Sequence, residues 1–78
     1  MKRELFFSEL HNALEIKSVP TLSETIAIKN LEEYDSMMIL GIIAFVDLNF
    51  NKTLTAVQLN EITTVRDLME LIGLENFE

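Results

Sequence analysis

Tyr34-Asp35-Ser36-Met37-Met38-Ile39-Leu40-Gly41-Ile42-Ile43-Ala44-Phe45-Val46-Asp47-Leu48-Asn49-Phe50 is the stretch on which the fold turns. Asp35 is a natural helix N-cap, because a short carboxylate can accept from the free amides of a first turn. The apolar run behind it predicts a helix from Ser36 to about Asn49, with Ser36 in the first turn. Unpaired N–H groups and the positive end of the helix dipole gather there, and such a position holds a phosphate well, even a covalently attached one. At roughly 100° per residue, Ile39, Ile42, Ile43, Val46 and Phe50 share one face, which reads as the core stripe. Met37, Gly41, Ala44 and Leu48 share another, with Leu40, Ser36 and Asp47 on its margin. A helix apolar nearly all round is normally buried. A chain of 78 residues cannot bury all of this one. Met37, Met38, Leu40, Phe45 and Leu48 are therefore expected to form an exposed apolar patch, which marks a partner surface. A wider core, or self-association through this face, would use the same residues.

A serine after an aspartate at a helix start is, by itself, ordinary capping chemistry. The wider pattern says more. From Asp35 to Ile72 the chain resembles the acyl carrier protein family without a gap. The family's signature is Asp-Ser-Leu at the start of its second helix, and Asp35-Ser36-Met37 matches it with a methionine for the leucine. Phe50 and the landmark Ile62-Thr63-Thr64-Val65 fall at compatible places. Before Asp35 the likeness thins to Asn30-Leu31, and Glu32-Glu33-Tyr34 stands where many members have Gly-Ala or Gly-Tyr. An aromatic directly before Asp-Ser is similar to divergent, specialised carriers, including D-alanyl carriers. The resemblance implies a small four-helix bundle with a long loop between helices 1 and 2 and a short third helix. It implies a 4′-phosphopantetheine arm, taken from coenzyme A, on Ser36. It implies that Asp35 helps place the magnesium ion of a phosphopantetheinyl transferase. It also implies that Met37, Met38, Leu40, Gly41, Ala44, Asp47 and Leu48 form the face on which partner enzymes dock. Family members carry acidic side chains at the places of Met38, Gly41 and Leu48. Here those three are uncharged and Asp47 alone remains, so recognition by apolar contact is expected in place of acidic pairing.

Composition narrows the classes. Six basic residues against thirteen acidic ones give a net charge of −7. That argues against nucleic acid, which needs a basic footprint, and favours partners with basic surfaces. There is no cysteine, so no disulfide or cysteine-metal site holds the fold. With 49% hydrophobic residues, one compact all-α domain over 1–78 is expected, held by packing alone. No uncharged run approaches the roughly 20 residues of a membrane span. Glu4 and Glu9 interrupt any signal-peptide core. A cytoplasmic monomer is the expectation.

The rest of the chain falls into place around the central helix. Lys2 to Ile16 reads as helix 1, with Phe6, Phe7, Leu10, Ala13 and Leu14 on one side. His11, the single histidine, is expected to be solvated. Pro20 ends that helix. Lys17 to Asn30 reads as a long loop anchored by Leu22, Ile26 and Ile28. Thr55 should cap a short helix from Ala56 to Asn60, with Val57 and Leu59 partly buried. Ile62 should point inward. Thr64 and Asp67 form a capping-box pattern before a final helix from Val65 to Ile72, whose core face is Val65, Leu68, Met69, Leu71 and Ile72. Gly73 stops it, and Leu74 to Glu78 should fray.

No histidine-paired serine and no convincing carboxylate pair is present, since Glu32 and Glu33 are adjacent and diverge; an enzyme is not expected. The expected function is a carrier that holds an acyl or aminoacyl group as a thioester and presents it to a loading enzyme and an acceptor transferase, in a specialised biosynthetic pathway. The alternative is an interaction module of the same fold without the arm, binding through the apolar second helix. A third class, a small acidic regulator resembling an antitoxin, would show a tight stoichiometric partner and no dependence on coenzyme A.

Overall fold

A computed structural model describes all 78 residues. Four α-helices and two single-turn 3-10 segments, with no strand, make a small bundle. The helices are α1 (Arg3–Ala13), α2 (Ser36–Phe50), α3 (Ala56–Glu61) and α4 (Val65–Ile72). The 3-10 turns are Ile28–Asn30 and Leu74–Asn76. None of the helices is long and apolar enough to cross a membrane.

The all-helical bundle and the long first connection agree with the sequence reading. α1 stops earlier than its pattern suggests. Glu15 adopts the left-handed conformation, with φ 53°. Its N–H donates to the Asn12 carbonyl, and the Ile16 N–H reaches back to the His11 carbonyl. This pair of bonds is a Schellman stop, with glutamate where glycine is usual. It turns Ile16 into the core, where only 3% of it is exposed. The chain thus leaves the helix before Pro20 can act, and Ala13, expected on the core side, is exposed.

Leu22 and Ile28 are buried and Ile26 is half-buried, so all three loop anchors pack as expected. The loop is also pinned by its backbone. Ile28 N–H donates to the Thr63 carbonyl, Val65 N–H to that of Ile26, and Arg66 N–H to that of Glu24. Four of the amides at a helix start have no intrahelical partner; here the loop satisfies two of those on α4. Glu24 adds charge to the same junction, its carboxylate lying 3.4 Å from the Arg3 Nε and 3.6 Å from an Arg66 Nη. His11, expected to be solvated, is only partly so. It is half-buried, and its Nε2 donates to the Val19 carbonyl at 2.8 Å, tying the loop to α1.

α3 runs one residue further than expected. Thr55 caps it in a reciprocal box with Gln58. Leu59 is buried but Val57 is 67% exposed, not partly buried. Two residues apart on a helix is about 200° of rotation, so these side chains cannot both face one core. α4 has the expected bounds and cap: Thr64 Oγ1 accepts the Asp67 N–H while Asp67 Oδ2 accepts the amides of Thr63 and Thr64. Those amides, Thr63 first and Thr64 next, hold the Asp67 carboxyl below its ordinary range.

The tail does not fray. Gly73, at φ 111°, takes a backbone conformation that side chains rarely adopt and so lets the chain turn. Leu74–Asn76 then form a turn, and Phe77 is buried with its ring 4.8 Å from Phe6 and 5.4 Å from Phe50. Asn76 fastens this turn by donating its side-chain amide to the Ile72 carbonyl. A large aromatic one position from the end gains more by joining the Phe6–Phe45–Phe50 cluster than it loses in chain entropy. Every one of the 18 buried residues is apolar, so the interior holds no ionisable group.

Candidate functional site

The site is the start of α2. Asp35 is extended, and its Oδ1 accepts the Met38 N–H at 2.8 Å while its carbonyl accepts from Ile39. That leaves the N–H groups of Ser36 and Met37 without a protein partner, pointing out of the helix end. Asp35 Oδ2 is likewise unengaged. Ser36 is the first residue of the helix and is exposed, and its hydroxyl makes no hydrogen bond to protein. Chemically this is an accessible nucleophile beside two free amides and a carboxylate oxygen. No hydrogen bond joins the Ser36 hydroxyl to that carboxylate. No three His, Cys, Asp or Glu side chains are grouped so as to hold a metal ion.

The approach to Ser36 is pinned on both sides. Leu31 is buried, Tyr34 is half-buried against the core, and the Tyr34 N–H closes a turn on the Leu31 carbonyl. Between them, Glu33 reaches across to the start of the long loop. Its Oε2 accepts the amides of Lys17 and Ser18 at 2.8 and 2.9 Å, and its Oε1 accepts the Ser18 hydroxyl at 2.6 Å. The Ser18 hydroxyl, then the Lys17 amide, lower the Glu33 carboxyl from an ordinary 4.5 to about 2. Sequence reasoning set Glu33 aside as half of an unconvincing acidic pair. Its true partners lie 15 and 16 positions away, and no local pattern points to them.

The predicted docking residues separate into two groups. Met37 (71% exposed), Leu40 (59%) and Leu48 (86%) form an exposed apolar row along α2, with Ala44 exposed between them and Asp47 exposed at its edge. Met38 does not belong to that row. It is 5% exposed, and Phe45, also expected on the surface, is 8% exposed. The buried stripe is Met38, Ile42, Phe45 and Val46, while Ile39, Ile43 and Phe50 are half-buried beside it. The stripe is rotated from the predicted one because α2 is packed by both α1 and α3. Phe6 of α1 meets Phe45 edge-on at 6.0 Å and draws that side inward. Gly41 is half-buried too. A Cβ there would lie 3.0 Å from Leu14 Cδ2, so this glycine lets the end of α1 come close to α2.

A second concavity, an open groove of about 490 Å³, lies between α1 and the loop. Phe7 and Leu22 are its apolar surfaces, with Glu4, His11 and Asn12 among its polar ones. It shares no residue with α2 and is separate from the Ser36 site. No protein-family model, curated protein or solved structure matches the chain.

Proposed function

We propose that this protein is a carrier whose Ser36 bears a 4′-phosphopantetheine arm. The observation that carries the reading is the exposed, unpartnered Ser36 hydroxyl in the first turn of α2, directly behind the capping Asp35. Modification would form a bond from Ser36 Oγ to the pantetheine-side phosphorus of coenzyme A and break its pyrophosphate bond, releasing adenosine 3′,5′-bisphosphate, the hydroxyl proton leaving to a base of the transferase. The two free amides and the helix dipole favour the resulting phosphodiester anion at this place. Asp35 Oδ2, facing solvent, is free to help place the transferase's magnesium ion. The arm's terminal thiol supplies the thioester that holds an acyl or aminoacyl group. The chain's own part is presentation: it holds the attachment point rigidly and offers a surface for loading and acceptor enzymes. Met37, Leu40 and Leu48 suit an apolar partner surface, and the −7 charge favours one with basic surroundings.

The same exposed row favours a second reading, an interaction module that uses α2 and carries no arm. Incubation with coenzyme A, magnesium and a broad-specificity phosphopantetheinyl transferase, followed by intact mass, separates the two. The carrier gains one phosphopantetheine group and its Ser36→Ala variant gains none. No gain in the wild type, with the host's own transferase also tried, removes the carrier reading and leaves the module.

A further inference from the structure

We propose that Glu33 is a positioning residue for modification of Ser36: its carboxylate clamps Lys17 and Ser18 onto the segment leading into α2 and so fixes how the serine is presented. The inference rests on the carrier reading of Ser36.

Glu33 lies three residues before Ser36, midway between the buried Leu31 and the capping Asp35. Its contacts are not with the core. They join the first residues of the long loop to the segment that leads into α2, across 15 and 16 positions of sequence. Closing that span by side chain restrains the two ends of a loop whose middle is already held by Leu22, Ile28 and the backbone bonds to Thr63 and α4. The geometry also calls for an acceptor-only group. Three donors converge on the two oxygens of one carboxylate, at 2.6 to 2.9 Å. Ionised Glu accepts all three. Glutamine can keep both backbone bonds through its amide oxygen, and the Ser18 hydroxyl can turn round to accept from the amide nitrogen. Alanine keeps none. A transferase that binds the start of α2 would then have to order the segment itself, and that cost falls on binding before it falls on chemistry.

The test uses the full chain as the transferase's substrate, with KM and kcat measured separately. Glu33→Ala should raise KM by about three- to tenfold and leave kcat unchanged, as expected when the competent conformation is only partly populated. Glu33→Gln should restore KM to within about twofold of wild type, and Ser18→Ala should give a smaller rise in the same direction. In Glu33→Ala the amides of Lys17 and Ser18 should lose their protection from hydrogen exchange. Glu24→Gln, which weakens the contacts to Arg3 of α1 and Arg66 of α4, is the control for general destabilisation and should leave KM alone. An unchanged KM in Glu33→Ala, with those amides exchanging faster, overturns the proposal. So does an equal rise in Glu24→Gln. Should Glu33→Ala fail to fold, Ser18→Ala decides: a raised KM supports the clasp and a wild-type KM overturns it. Wild-type protein that takes up no arm overturns the reading of Ser36 as well, whereas normal uptake with insensitive variants overturns the clasp alone.

Discussion

Replacing Phe77 by alanine should remove a large share of the fold's stability, although Phe77 is the penultimate residue. The ring is 8% exposed and meets Phe6 edge-on at 4.8 Å and Phe50 in a tilted arrangement at 5.4 Å. Truncating a buried phenylalanine to alanine costs about 3 to 5 kcal/mol. The low end applies here, because Phe77 is among the less completely buried core residues, which gives about 3 kcal/mol. A domain of this size has roughly 4 to 12 kcal/mol in total. The loss is therefore between a quarter and most of it, and the thermal midpoint should fall by roughly 12 to 24 °C. Far-ultraviolet circular dichroism on heating, with a urea titration beside it, reads both quantities. Phe77→Leu keeps the burial but loses the ring contacts and should fall between wild type and alanine. A loss in Phe77→Ala of less than about 0.5 kcal/mol, the size of an ordinary surface substitution, would mean that the tail is frayed and does not close the aromatic cluster.

Three further outcomes follow from particular contacts. Glu15→Gly should raise stability by about 0.5 to 1 kcal/mol in urea unfolding, because glycine takes the left-handed conformation without a Cβ penalty. Glu33 is held near 2, below its ordinary 4.5, so its carboxylate favours the folded state. That contribution is complete above about 4.5 and is lost as pH falls toward about 2, and Glu33→Gln should flatten the pH dependence of the unfolding midpoint across this window. Leu48→Glu should change stability by no more than about 0.5 kcal/mol, since the side chain touches little. In the carrier it should nonetheless weaken loading by the cognate enzyme, measured as a fall in kcat/KM, and unchanged loading would remove Leu48 from the docking surface.

The periodic parts of the fold were legible and the conditional parts were not. α2, α3 and α4 announce themselves through Asp35, Thr55 and Thr64, whose caps act within three residues. The sequence pattern overruns the first helix because its stop depends on Glu15 in a conformation that glycine usually marks. The tail was read as loose because Leu74 to Glu78 has no periodicity; only the distant Phe6 and Phe50 give Phe77 its place. α2 presented a different difficulty. Its residues are apolar on every side, so the period located the helix without fixing its rotation. The pattern leaves Met38 and Phe45 free to face solvent, and the packing of α1 and α3 turns them inward. In the candidate site, the cap and the free serine were local and visible in the sequence, and the Glu33 clasp was neither.

That rotation also decides which substitutions can probe α2. Gly41, where members of the carrier family are acidic, invites a substitution that adds charge to this face. A side chain there must first displace Leu14, so a change in binding would be confounded with a change in how α1 meets α2. Leu48 carries no such burden. Leu40 lies one turn from Ser36 on the same side of the helix, and the row from Met37 to Leu48 extends about 16 Å from there. A partner that covers this row touches the residue next to Ser36. In the carrier, the docking surface and the root of the arm are thus parts of one ridge, and a partner seated on Leu40 and Leu48 meets the arm where it leaves the protein. In the module, the same ridge binds with Ser36 only as a bystander at its end. The pair Leu48→Glu and Ser36→Ala separates these cases by their pattern: both impair a carrier, one through recognition and one through chemistry, while only Leu48→Glu impairs the module.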